Sequence, residues 1–273
     1  MKQIFLLILA SCTLTTYSQR SNLLLEQTFD SSVGSWFENS TYYPYSATIS
    51  SYTARAARAG KSLKLELRKG ENMRAELGTN PQSSPKEGWY GFTLFFPSGF
   101  VADDYHESIM QFQSFPDPGE NWRSAVMFLG VVKDRLILAQ WSDSNKISVQ
   151  GSPKYSQTDF GQLEKSKWLD FVIHARWAYD ATGFIEIWKD NKLLLRKSGP
   201  NCYNDNLNPY FKIGIYKWDF SLSPLTKREL YVDEVRIGNA NANYFDVFPG
   251  KISTKTINYF NDGSSLITPN KLP

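Results

Sequence analysis

About a dozen short stretches of this chain alternate apolar and polar residues or run apolar over strand length, and none sustains a helical period. Residues 62–67, 72–77, 89–96, 108–115, 126–132, 136–141, 168–177, 184–189, 209–216 and 229–237 read as strands. Turn chemistry separates them at 97–99, 116–119, 181–183, 189–191 and 198–200. Asp190 and Asn191 between two strands predict a tight hairpin. An α/β fold needs helices between its strands, so the pattern predicts an all-β chain. The expected architecture is a concanavalin-like β-sandwich, a β-jelly roll, folded as a single domain.

The chain has 273 residues, 41% of them hydrophobic and 15% aromatic, which suffices for one large core. Its formal charge of +3 comes without a dense Lys/Arg cluster, so no nucleic-acid partner is expected. Lys2 followed by an apolar run over 4–10 and small or polar residues to Ser18 predicts a signal peptide at 1–18. That run is too short to span a bilayer. The protein is therefore expected to be secreted or periplasmic, with lipid anchoring at Cys12 as the alternative. Residues 19–250 form the expected domain, and the more polar 251–273 read as a C-terminal strand or tail of it. Cleavage after Ser18 leaves Cys202 as the remaining cysteine and no intrachain disulfide.

Four strand faces concentrate polar groups, because alternate residues on a strand share a face. Lys212 and Tyr216 lie about 13–14 Å apart along one face with Gly214 between them, where a ligand could approach the backbone. Arg74 shares a face with Glu76, Gln111 with Gln113, and His174 with Arg176. Each strand has an apolar opposite face, so these polar faces are expected to line one groove. Cations there would neutralise acidic groups and amides would bind hydroxyls. Ordinary structural roles are also available: a surface pair such as Arg74–Glu76 contributes about 0–1 kcal/mol. His106 and His174 are the two histidines, too few for a histidine-based metal site. No G-x-S-x-G or H-E-x-x-H pattern is present. Glu186, Asp233 and Glu234 lie on strands and keep a carboxylate pair possible.

Taken in order, residues 73–77, 87–92, 107–113, 168–177, 183–188 and 208–216 resemble polysaccharide lyases of the heparin lyase I and glucuronan lyase type. The resemblance spans residues 25–240, and the strand carrying Lys212 and Tyr216 is its most specific part. It implies a jelly roll that cleaves an anionic uronate polysaccharide by β-elimination. Tyr216 would be base, acid or both, Lys212 its electrostatic support, and Gln111 a donor to the uronate carboxylate. Arg74 would grip an acidic group, with Glu76, Gln113, His174 and Arg176 as further substrate-binding residues. Such relatives commonly carry a catalytic histidine where this chain has Gln113, and an amide cannot take a proton. Tyr216 must then act twice, or His174 or His106 substitutes, or activity is lost. One residue acting twice requires the proton and the leaving oxygen on the same side of the ring, which holds for glucuronate and mannuronate and fails for iduronate and guluronate; a glucuronate-type polymer is the expected substrate. No cofactor is required for that chemistry; a structural calcium at Asp30 and Asp233 is implied as an option, and a monomer is expected. The alternatives are a non-catalytic carbohydrate-binding jelly roll and a concanavalin-like glycoside hydrolase. The latter needs two carboxylates facing each other about 5–9.5 Å apart.

Overall fold

The computed structural model describes residues 22–52 and 60–250; the signal segment, Cys12 and the 251–273 tail lie outside the described residues. The alternating stretches become antiparallel strands, in chain order β1 (Leu23–Gln27), β2 (Glu38–Asn39), β3 (Ala47–Ser50), β4 (Ser62–Arg68) and β5 (Arg74–Gly78). There follow β6 (Glu87–Phe95), β7 (Glu107–Gln113), β8 (Met127–Val132), β9 (Arg135–Ser142) and β10 (Lys154–Gln162). The last are β11 (Trp168–Arg176), β12 (Phe184–Lys189), β13 (Lys192–Ser198), β14 (Tyr210–Tyr216) and β15 (Lys227–Gly238). A one-turn α-helix, α1 (Tyr244–Val247), is closed by a capping box between Asn243 and Asp246.

The strands form two sheets. The front sheet runs β2-β5-β14-β7-β8-β9-β10, and the back sheet runs β3-β4-β15-β6-β11-β12-β13 with β1 paired to β15. This is the jelly-roll sandwich that the strand pattern predicts. Between the sheets lies an apolar core that includes Leu63, Leu65, Phe92, Phe112, Phe171, Phe211 and Ile213. Phe112 packs edge-on against Tyr90 at 4.7 Å and lies 4.6 Å from Trp177 and 5.6 Å from Phe211. Burying a Phe side chain of this kind stabilises the fold by about 1.5–3 kcal/mol. Because Phe112 is anchored inward, its neighbours Gln111 and Gln113 must face outward. A second apolar cluster (Trp89, Val172, Trp188, Tyr244 and Val247) lies outside the back sheet and is covered by α1.

Asp190 and Asn191 make the predicted two-residue hairpin between β12 and β13, with φ of 49° and 65°. Lys133 and Asp134 turn β8 into β9 the same way, with φ of 50° and 57°. Both loops hold two successive left-handed residues, the geometry that matches the twist of the strands they join.

Candidate active site

β5, β14 and β7 are neighbours in the middle of the front sheet. Their inward residues Ala75, Leu77, Ile213, Ile215, Met110 and Phe112 fill the core. Alternation then turns Arg74, Lys212, Tyr216, Gln111 and Gln113 to the open face, where all five line one cleft of about 1040 Å³. Register sets Tyr216 opposite Arg74 on one side and Ser108 on the other, and Lys212 opposite Gln111. Phe37, Tyr42, Phe115 and Trp122 also line the cleft, each at least 40% exposed.

Glu76 organises the floor. Its carboxylate is fully buried and accepts hydrogen bonds from Arg74 Nη1 at 2.6 Å and Gln111 Nε2 at 2.7 Å. Lys212 Nζ lies 3.3 Å from the same carboxylate and donates to Glu38 Oε1 at 2.6 Å. Tyr210 donates its hydroxyl to Glu38 Oε2 at 3.1 Å. Burial and then the Glu38 charge raise the Tyr210 phenol well above its ordinary value, so it stays protonated. The guanidinium of Arg74 lies 3.4 Å over the ring of Tyr216. Burial works against the Arg74 charge, but the Glu76 ion pair outweighs it and raises its pKa. Among the described residues no hydrogen bond engages the Tyr216 hydroxyl, which leaves it available to a ligand.

Several sequence expectations need correction. Glu76 has no exposed surface and cannot touch substrate; it holds the residues that do. The cation in contact with Tyr216 is that of Arg74, whereas the Lys212 ammonium is engaged by Glu38 and Glu76. Gly214 does not open the floor to a ligand. Its φ is 132°, and a Cβ there would fall 2.3 Å from the Ala75 carbonyl oxygen of β5. The glycine serves an irregularity in the β14–β7 register between Ile213 and Tyr216. Gln113 lines the cleft, but its amide donates to the carbonyls of Ser114 at 3.3 Å and Arg123 at 3.1 Å, tying down the wall segment.

His174 and Arg176 are not in the cleft. They belong to β11 on the back sheet, where His174 stacks on Trp89 at 3.8 Å between Glu87 and Glu186. Arg176 donates to Glu87 at 2.7 Å. Alternation correctly assigns both to an outward face, but of the other sheet. Glu186 is likewise engaged there, by His174 and Arg196. The two carboxylates at the cleft, Glu38 and Glu76, are bridged by the Lys212 ammonium, and Glu76 is sealed from any sugar. That arrangement does not supply the exposed facing pair of a glycoside hydrolase.

His106 is the histidine that lines the cleft, stacked 6.2 Å from Trp218. Burial lowers its pKa, the Lys217 charge acts in the same direction, and a hydrogen bond with Gln157 opposes both. Of the carboxylates implied for calcium, Asp30 accepts from Thr28 Oγ1 and the Lys61 backbone N–H, and Asp233 accepts from the Glu234 backbone N–H. Separately, Asp117, Glu120 and Asp205 gather carboxylate oxygens within 4.8 Å of one another. Side-chain cations already serve this second group: Arg123 pairs with Glu120 and Asp205, and Lys146 with Asp117. Among the described residues no helix is long and apolar enough to cross a membrane.

Fold and cleft together define a jelly-roll sandwich with an open, aromatic-lined cleft across one sheet. Residues 19–236 match the family model described as Polysaccharide lyase, and the chain belongs to that family. Among solved structures it is similar to an endo-β-1,4-glucuronan lyase from the fungus Trichoderma reesei. That match has a TM-score of 0.70 at 16% identity, covering 82% of this chain and 98% of the other. An alginate lyase from Chlorella virus matches with a TM-score of 0.47 at 12% identity, covering 71% of this chain and 88% of that one. A comparison with curated protein sequences found no match.

Proposed function

We propose that this polysaccharide lyase is exported and cuts a glucuronate-type polymer by syn β-elimination in the front-sheet cleft, with Tyr216 making both proton transfers. The observation that carries the reading is the Tyr216 phenol, without a partner of its own, under the guanidinium of Arg74. The uronate carboxylate sits against Arg74 and Gln111, whose N–H groups stabilise the charge that develops when the neighbouring carbon loses its proton. Tyr216 takes that proton as phenolate. The electron pair forms the carbon–carbon double bond, the glycosidic C–O bond breaks, and the phenol returns a proton to the leaving oxygen. Atoms and charge balance, and the phenolate is regenerated.

The other candidates for the base are poorly suited. Gln113 is an amide bound to two carbonyls, Tyr210 is a protonated donor to Glu38, and His174 lies on the other sheet. His106 shares the cleft and is the competitor to test. Incubation with a panel of uronate polymers, followed by ultraviolet absorbance of the unsaturated product, tests the reading. Tyr216→Phe is expected to abolish the signal while His106→Gln retains most of it, and glucuronan should be cut faster than iduronate- or guluronate-linked polymers. Loss of activity in His106→Gln as complete as in Tyr216→Phe, with preference for guluronate or iduronate, would overturn the single-residue assignment.

A further inference from the structure

The cleft has two chemically different halves, and Tyr216 stands at the seam. Over β2, β5, β14 and β7 the floor is polar: Glu38, Arg74, Gln111 and Lys212 line it above Glu76. Over β8, β9 and β10 the strand residues that line it are Phe128, Trp141 and Tyr155. These rings form a continuous band leading to the reaction centre. Ring centroids are 4.8 Å apart from Tyr155 to Trp141, 5.7 Å from Trp141 to Phe128, 5.7 Å from Phe128 to Trp218, and 5.4 Å from Trp218 to Tyr216. Tyr155 is 54% exposed on the edge strand β10, so its ring is open to a ligand that stacks on it. None of these three strands places a lysine or arginine on the cleft lining.

The polar half is charge-compensated as well. Its two cations, Arg74 and Lys212, face two carboxylates, Glu76 and Glu38. Arg123 on the cleft wall is paired with Glu120 and Asp205. A cleft built to hold a densely charged polymer by ion pairs would leave cations uncompensated along its length. β-Elimination itself needs a carboxylate on one sugar only, the one that loses its proton. The sugar that leaves with the glycosidic oxygen needs none, and the apolar face of a pyranose suits an aromatic floor.

We propose that the aromatic band Tyr155–Trp141–Phe128–Trp218 is the subsite for the sugar that leaves with the glycosidic oxygen, and that it accepts an uncharged pyranose as well as a uronate. The protein would then cut mixed polymers in which uronates alternate with neutral sugars, provided that a uronate occupies the polar half. This inference rests on the β-elimination reading for the polar half. The stacking subsite itself is tested independently of activity.

The binding test uses the Tyr216→Phe protein and follows tryptophan fluorescence during titration with a neutral β-1,4-linked glucose oligomer and with an oligoglucuronate. The neutral oligomer should bind within about tenfold of the charged one, and Tyr155→Ala added to that protein should weaken both about tenfold. Raising sodium chloride from about 0.05 to 0.5 M should leave the neutral oligomer's affinity unchanged. In the absorbance assay the otherwise unaltered protein should cut a polymer of alternating glucuronate and glucose, and Tyr155→Ala should raise KM more than it lowers kcat. No binding of the neutral oligomer, or binding indifferent to Tyr155→Ala, overturns the subsite. Cleavage of glucuronan with the alternating polymer untouched overturns the substrate class. Absence of unsaturated product from every polymer would instead overturn the chemistry assigned to Tyr216, with the titration still deciding the subsite.

Discussion

At the scale of single residues, the site depends on a carboxylate that no ligand can reach. Glu76 is fully buried, and a charge taken out of water at that depth persists only with strong partners. Arg74, Gln111 and Lys212 supply them, and each faces the cleft, so one buried group fixes the direction of three lining side chains. Glu76→Ala is therefore expected to cost about 3–5 kcal/mol in urea unfolding, because two cations lose their buried partner. It should also lower kcat, because Arg74 is no longer held over the Tyr216 ring. A variant with unchanged stability and full activity would show that the network is dispensable. The residue types of this centre were legible in the sequence: Arg74, Gln111, Lys212 and Tyr216 do meet on one face. Their roles were not. Alternation shows that Glu76 points outward from its strand, but its burial comes from three donors on β5, β7 and β14. Nothing in β5 alone states that β14 will lie beside it.

At the scale of elements, β14 reaches the site through an irregularity rather than regular pleating. Its register with β7 shifts between Ile213 and Tyr216, and Gly214 adopts a φ of 132° that L side chains rarely adopt. An alanine methyl at that position would collide with the Ala75 carbonyl oxygen and approach Leu65 of the core at 3.1 Å. Gly214→Ala is expected to destabilise the fold by about 2–4 kcal/mol through backbone strain and displacement of β5. Since Arg74 begins β5 and Tyr216 ends β14, the same change should reduce activity even well below the melting temperature. Thermal melting together with kcat at 20 °C or so checks both parts, and a wild-type melting curve would sink the argument. The strands that the sequence pattern left unrecognised are instructive. β2, β3 and β10 end the sheets, as does β13, which the sequence marks only as the second arm of a hairpin, and β1 lies off the main path. Edge strands bury little of either face; β10 has no buried residue, so no apolar alternation marks it. Asp190-Asn191 announced its hairpin through residues that tolerate positive φ, whereas Lys133-Asp134 makes the same turn with weaker chemistry.

At the scale of the whole molecule, alternation gives the face of a strand but not the sheet to which it belongs. A two-layer sandwich has two outward faces, and His174 with Arg176 satisfied every local criterion while lying on the back one. The wall of the front cleft is held by the Asp117–Glu120–Asp205 cluster and its cations. It connects the wall segment bearing Phe115, Trp122 and Arg123 with the loop that leads into β14. Burial pushes the Asp205 carboxyl up to about 6; Arg123 opposes that rise and Glu120 adds to it. Unfolded, an aspartate titrates near 3.9, so between about pH 4 and 6 the native state binds more protons at this position. This contribution to stability is fully present below about pH 4 and is lost as pH rises through about 6. Asp205→Asn mimics the protonated group and removes the titration, while the lowered carboxyls of Asp117 and Glu120 remain common to both proteins. The stability of the unaltered protein minus that of Asp205→Asn, from denaturant unfolding at pH 4, 5, 6 and 7, should therefore fall steadily across the series. A difference that stays flat or rises with pH would mean that Arg123 outweighs burial and keeps Asp205 ionised throughout. The wall of the cleft would then rest on a permanent ion pair rather than on a group that gains a proton in mild acid.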